Sequence, residues 1–215
     1  MSSLRLDRES ELPLIINMSP IKLFVFALCW IIFLYLLNSW IAGSFKRIDP
    51  KMALVYFSTI ALIGLFGEIF LDTIYNFFVG HPLWYYRILP IKGGYTSSFA
   101  IVTWGAYGFH LYMLHDSLKS RWSITRTRHL ALIIALEGLV LEAVLTLSAK
   151  FFLGRFMYYY LPDDLWHVSS FQNIPFYFIF GVIAVHALRR FREDPLFFTC
   201  MNSFLLLVLL FAVAK

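Results

Sequence analysis

The chain has 215 residues, of which 60% are hydrophobic, 19% aromatic and only 14% charged. A soluble domain of this size carries about 25% charged residues, so a water-facing surface cannot be built and the bilayer is the expected solvent. The net charge of +5 is modest, and no basic cluster interleaved with polar residues points to nucleic acid.

Residues 1–20 are a polar segment of mixed charge, with Arg5, Asp7, Arg8, Glu9 and Glu11. Asn17-Met18-Ser19 fits the glycosylation pattern, weakened by the Pro20 that follows. The first apolar run, from Ile21, covers about 22 residues; it is too long for a signal-peptide core and lacks an A-x-A site, so it reads as a retained helix. A helix needs about 20 apolar residues to cross the hydrocarbon core. Six stretches qualify: roughly 21–43, 52–79, 97–117, 129–153, 172–190 and 196–214. The second and fourth are long enough to tilt or to project from the membrane. The expected architecture is an all-α, polytopic bundle forming a single integral membrane domain over 1–215. Cys29 and Cys200 lie in apolar runs outside any CxxC pair, and are expected to be buried, inert thiols.

Positive charge orients the chain. The connections after the first, third and fifth spans hold Lys46, Arg47 and Lys51, then Lys119, Arg121, Arg126 and Arg128, then Arg189, Arg190 and Arg192. The opposite side holds Arg5, Arg8, Lys22, Arg87, Lys92, Lys150, Arg155 and Lys215. The richer side is expected to be cytoplasmic, with the N-terminus and the loops 80–97 and 154–172 on the outer or lumenal side.

An internal repeat emerges at an offset of about 74 residues. Gly64, Leu65, Glu68, Phe77, Phe78, Gly80, Tyr85 and Tyr86 fall on Gly138, Leu139, Glu142, Phe151, Phe152, Gly154, Tyr159 and Tyr160. Ser97-Ser98-Phe99 recurs as Ser169-Ser170-Phe171. Each unit, about 52–119 and 129–192, is two helices and the loop joining them. Two crossings per unit make the repeat parallel, with its axis along the membrane normal and a shared site where the halves meet. Gly64, Gly67 and Gly138 would permit close helix contacts.

Glu68, Asp72, Tyr75 and Asn76 form one polar stripe about two helical turns long. Carboxylates in lipid are costly, so the stripe must face protein or water. Two carboxyls on it, with Glu142 opposite, could hold their protons unequally and so serve as acid and base. Glu137 points about 140° away from Glu142 on the same helix and is expected to snorkel or to pair with a basic loop residue. Lys150 is expected to snorkel, with pairing to Asp72 or Glu142 as the sharper alternative. His110, three residues from Tyr107 and below Trp104, could relay a proton or simply be a hydrogen-bonded core residue. His115 and His186 look interfacial.

The outer loops carry His81-Pro82-Leu83-Trp84-Tyr85-Tyr86-Arg87 and Tyr158-Tyr159-Tyr160 followed by Asp163, Asp164, Trp166 and His167. Such rings form interfacial belts, or here an aromatic lid whose faces could stabilise a cation. Trp84, Tyr85 and Tyr159 are the expected cavity liners. The histidine spacing does not fit a helix-borne metal site, and no GxSxG, CxxC, P-loop or GxGxxG motif occurs. No cofactor is implied.

The pairing of intramembrane acids with aromatic rings is similar in kind to small polytopic terpene cyclases and sterol isomerases. In those families an acid protonates an alkene or epoxide and aromatic faces stabilise the carbocation. No family motif aligns, so no residue role is carried over. Three readings follow. The first is an enzyme acting on a lipid or isoprenoid, with Glu68 or Asp72 as general acid and Glu142 as base. The second is a proton-coupled carrier. The third is a non-catalytic subunit whose polar stripe docks a partner membrane helix. Asp72 and Asn76 occur only in the first repeat, where Thr146 and Lys150 stand in the second, so if one half carries chemistry and the other supports it, the first is expected to be the active one.

Overall fold

The computed structural model describes residues 18–213; Asn17 and the charged residues before it, together with Lys215, lie outside the described residues. The chain runs through α1 (Pro20–Ala42), α2 (Pro50–Val79), a hairpin-end segment with β1 (Trp84–Tyr86), β2 (Pro90–Ile91) and β3 (Thr96–Ser97), then α3 (Ala100–Trp122) and α4 (Thr127–Leu153). Strand β4 (Tyr158–Tyr160), α5 (Ile174–Phe191) and α6 (Pro195–Val213) complete it. All six expected spans are helices. Five are long and apolar enough to cross a membrane; α3 has 23 residues but dilutes its apolar content with Gly105, Gly108, His110 and His115. It packs against both α1 and α2.

Helix ends follow local chemistry. Asp49 caps α2, its carboxylate accepting from the amides of Lys51 (2.9 Å) and Met52 (3.4 Å), with Pro50 as first helical residue. Gly80 and Gly154 end α2 and α4 in the left-handed conformation, at φ +83° and +74°, which costs glycine little. These two glycines are repeat partners.

α2 pairs with α3, and α4 with α5; α1 packs on α3 and α4, and α6 on α2. The α2–α3 contact is a backbone approach. A Cβ on Gly108 would lie 2.4 Å from the Tyr56 carbonyl oxygen. Gly181 plays the matching role in α5, where a Cβ would lie 2.9 Å from Ala131 Cα. Gly67, by contrast, has nothing within 4 Å of that position, so the expected close contact there is not made.

Two cores result. One lies toward the hairpin end and includes Leu65, Ile69, Leu83, Tyr86, Met157 and Tyr160. The other lies toward the basic end and includes Val55, Tyr56, Ile60, Ala184, Val185 and Leu188. There α2 and α5 touch. Cys29 and Cys200 are exposed, not buried, because lipid accepts an apolar side chain as readily as a protein core does.

The loops expected between the spans contain paired strands. β1 and β4 are antiparallel, with Trp84 opposite Tyr160, Tyr85 opposite Tyr159 and Tyr86 opposite Tyr158. Tyr85 and Tyr159 are repeat partners, so the register is symmetric about their pair. This is the register expected of two strands related by a twofold axis through that pair. Aromatic side chains favour the extended backbone, and pairing satisfies amide groups held close to lipid.

Candidate functional site: two carboxylates under an aromatic roof

Strand alternation decides which rings face inward. Trp84, Tyr86, Tyr158 and Tyr160 are buried, whereas Tyr85 and Tyr159 between them are half-buried. The inner four form a roof over the bundle. Below it, Glu68 of α2 is buried and accepts from the Tyr86 hydroxyl, the Thr96 hydroxyl and the Trp104 indole N–H, the last at 2.8 Å. Glu142 of α4 accepts from the Tyr160 hydroxyl at 2.5 Å, the Ser169 hydroxyl at 2.5 Å and the Asn173 amide at 3.3 Å. The spacing repeats as well as the chemistry. Carboxylate and tyrosine are 18 residues apart in both halves, and carboxylate and hydroxyl 28 and 27 apart. Burial first, and then the adjoining carboxylate, holds the phenols of Tyr86 and Tyr160 well above the usual tyrosine range, so each stays a donor.

Glu68 and Glu142 line the same two cavities. The larger, about 310 Å³, lies between α2 and α5, under Trp84, Tyr86, Tyr158 and Tyr160. Its other walls are almost wholly apolar. Phe66, Phe70, Ile179 and Ile183 line it and are also exposed at the outer surface of the helices, so the cavity opens sideways toward lipid. Below, α2 and α5 touch, and Ile60 and Ala184 belong to one buried core. Above, the Tyr75 hydroxyl donates to Gln172 Oε1 at 2.9 Å. The smaller cavity, about 60 Å³, lies on the other side of the carboxylates, where Trp30 and Leu34 of α1 help to line it. The same groove is thus filled by a helix in one half of the repeat and left open in the other.

The remaining expected site residues take other positions. Trp104 lines both cavities and Tyr107 the smaller one. Asp72 is buried but lines neither; its Oδ1 accepts from the Leu83 amide at 2.7 Å, anchoring the start of β1. Asn76 contributes its carbonyl to the Gly80 cap. Tyr85 and Tyr159 meet at a tilt of 39° above the roof, their ring centroids 6.5 Å apart. Lys150 lies over the Phe156 ring at 4.4 Å, not beside an acid.

His110 and Glu137 form a separate network. Asn38 donates through Nδ2 both to the Leu34 carbonyl and to His110 Nδ1, at 2.8 and 2.7 Å. His110 Nδ1 is then an acceptor, and its Nε2–H points to Glu137 at 3.1 Å. The Tyr107 hydroxyl donates to the other Glu137 oxygen at 3.0 Å. Glu137 therefore does not reach a basic loop: a buried histidine and tyrosine satisfy it where it stands.

No protein-family model, curated protein or solved structure matches the chain.

Asp72 as an anchor makes a clear prediction. Asp72→Ala leaves the buried Leu83 amide without its acceptor and should cost about 1–3 kcal/mol. Thermal unfolding in detergent checks this, with Asp72→Asn, which keeps one acceptor oxygen, expected to lose less.

Proposed function

We propose that this membrane protein is an intramembrane enzyme that performs acid–base chemistry on an apolar lipid or isoprenoid. The observation that carries the reading is the placement of Glu68 and Glu142 on one apolar cavity that opens between α2 and α5. A lipid chain enters sideways from the bilayer, and its reactive carbon–carbon double bond or epoxide lies between the carboxyls. One carboxyl, protonated, gives its proton to the substrate and leaves a carbocation. The other, ionised, removes a proton from a neighbouring carbon, so that a double bond reforms. Protons and charge balance without a redox partner, giving an isomerisation or a cyclisation. The rings of Trp84, Tyr86, Trp104 and Tyr158 surround the intermediate and stabilise its charge. They also keep out water that would trap it. The basic end of the bundle is taken as cytoplasmic and the aromatic roof as outer or lumenal.

A total lipid extract serves as the substrate pool for the test. Protein in nanodiscs is incubated with the extract in D2O, and the lipids are analysed by mass spectrometry. The reading expects deuterium on carbon in one lipid class, dependent on both glutamates. Proton-dependent uptake into liposomes without any deuterium on carbon would favour a carrier.

Gly67 offers a separate check on lipid entry. It lines the larger cavity and a Cβ there meets open space, so Gly67→Leu is expected to fill the entrance. Leucine also favours a helix over glycine by up to about 1 kcal/mol. This variant is expected to keep or raise its thermal midpoint while losing retained lipid by native mass spectrometry. An unchanged lipid complement would count against entry between α2 and α5.

A further inference from the structure

A third cavity, of about 200 Å³, lies at the basic end. It is lined by Tyr56 of α2, His115 and Lys119 of α3, Thr125 of the connection to α4, and Arg189 and Arg192 of α5, with Ile124, Leu130, Val185 and Leu188 as its apolar floor. Tyr56 and Glu68 are twelve positions apart on one helix, which sets the two sites about 18 Å apart. The proposed acid–base chemistry makes no use of this cavity.

Its lining holds three fixed cations and no carboxylate. Acids nearby in the chain are turned to other uses or lie outside it: Glu193 pairs with Arg190, and Asp116 is exposed on α3 and absent from the lining. Lys119 and Arg192 form no ion pair among the described residues. Arg189 donates to Thr127 Oγ1 at 2.8 Å and to the Thr125 carbonyl at 2.5 Å, which fixes the α3–α4 connection as one wall.

His115 Nδ1 lies 3.2 Å from the Tyr56 hydroxyl, which fixes the imidazole in the wall of the cavity. Three cations on one lining with no carboxylate among them select an anion.

We infer that this cavity binds a phosphate group, with Lys119 and Arg192 as its donors. Phosphate offers several acceptor oxygens and matches a cluster of Arg and Lys donors. The group belongs either to an anionic lipid headgroup, since the cavity lies where the helices emerge from the bilayer, or to a free phosphate compound from the aqueous phase. The inference is independent of the proposed chemistry at Glu68.

The experiment uses the full chain with two probes. Inorganic phosphate is titrated by calorimetry, and nanodiscs of phosphatidylcholine with or without phosphatidic acid are read by native mass spectrometry. The variants are Lys119→Gln and Arg192→Gln, with Arg190→Gln as a control that removes the same charge outside the cavity. Wild type and the control should bind at least one probe, and each cavity variant should bind it about tenfold more weakly. Thermal midpoints establish that all the variants fold. Phosphate binding alone assigns the site to a soluble ligand, and phosphatidic acid retention alone assigns it to a headgroup. Binding of neither probe, or equal weakening by Arg190→Gln, overturns the assignment.

Discussion

Glu68→Gln and Glu142→Gln are each expected to lower deuterium incorporation into lipid by about 10²–10⁴-fold, the usual contribution of a general acid or base. The two losses should not add. If one group delivers the proton and the other removes it, either variant stalls the same cycle, and the double variant should be little worse than the more severe single one. Their effects on folding should differ. In Glu68→Gln the amide oxygen can still accept from Tyr86 and Trp104, while the new N–H₂ faces the Thr96 hydroxyl, which can turn to accept. Around Glu142 one oxygen accepts from both Ser169 and the Asn173 amide. A glutamine N–H₂ placed there would oppose a second N–H₂. Placed on the other side it faces the Tyr160 hydroxyl, which already accepts from Asn173 at 2.5 Å. Glu142→Gln should therefore be the less stable variant, and Glu68→Gln the cleaner test of chemistry.

Gly108→Ala is expected to have the largest effect on stability for its size. The added methyl would lie 2.4 Å from the Tyr56 carbonyl oxygen and 2.9 Å from its carbon. Both are backbone atoms, so no side chain can turn aside and α2 must move away from α3. Overpacking of this kind costs about 1–3 kcal/mol and occasionally more. The contact also sets Tyr56 against His115 and the spacing of Glu68 from Trp104 further along the same helix pair, so activity should fall with stability. Gly67→Ala, on the same bundle with open space around the new methyl, should be neutral or mildly stabilising. Thermal aggregation in detergent separates the two.

The helices were legible because apolar length is a strong signal, and each expected span matches a helix to within a few residues. The carboxylate pair was legible through the repeat, since glutamate is too costly in lipid to recur at one offset by drift. Other features depended on details that residue type does not encode. Tyr85 and Tyr159 were the expected cavity liners, yet the strands place Tyr86, Tyr158 and Tyr160 there instead. A side-chain period of two means that one position decides inside or outside, and nothing in three consecutive tyrosines reveals it. Asp72 sits on the same helical stripe as Glu68, but a chain turning back after Gly80 brings the Leu83 amide to it first. Thr96, Ser169 and Asn173 were missed as carboxylate partners. The recurring Ser-Ser-Phe triplet was the available clue, because hydroxyls repeated in step with the glutamates imply a shared role. The expectation that the first half, if either, is the one that carries chemistry rests on Asp72 and Asn76. Both now serve the hairpin end of α2, which leaves the two halves chemically more alike than their sequences.

Labelling with a lipid-soluble carbodiimide, followed by peptide mass spectrometry, tests most directly whether the paired glutamates meet the bilayer. The reagent reacts with protonated carboxyls that it can reach from lipid. The account predicts modification of Glu68 or Glu142, slowed by Gly67→Leu, with Asp72, which is buried and lines neither cavity, unmodified. Modification of Asp72 with both glutamates untouched would contradict it.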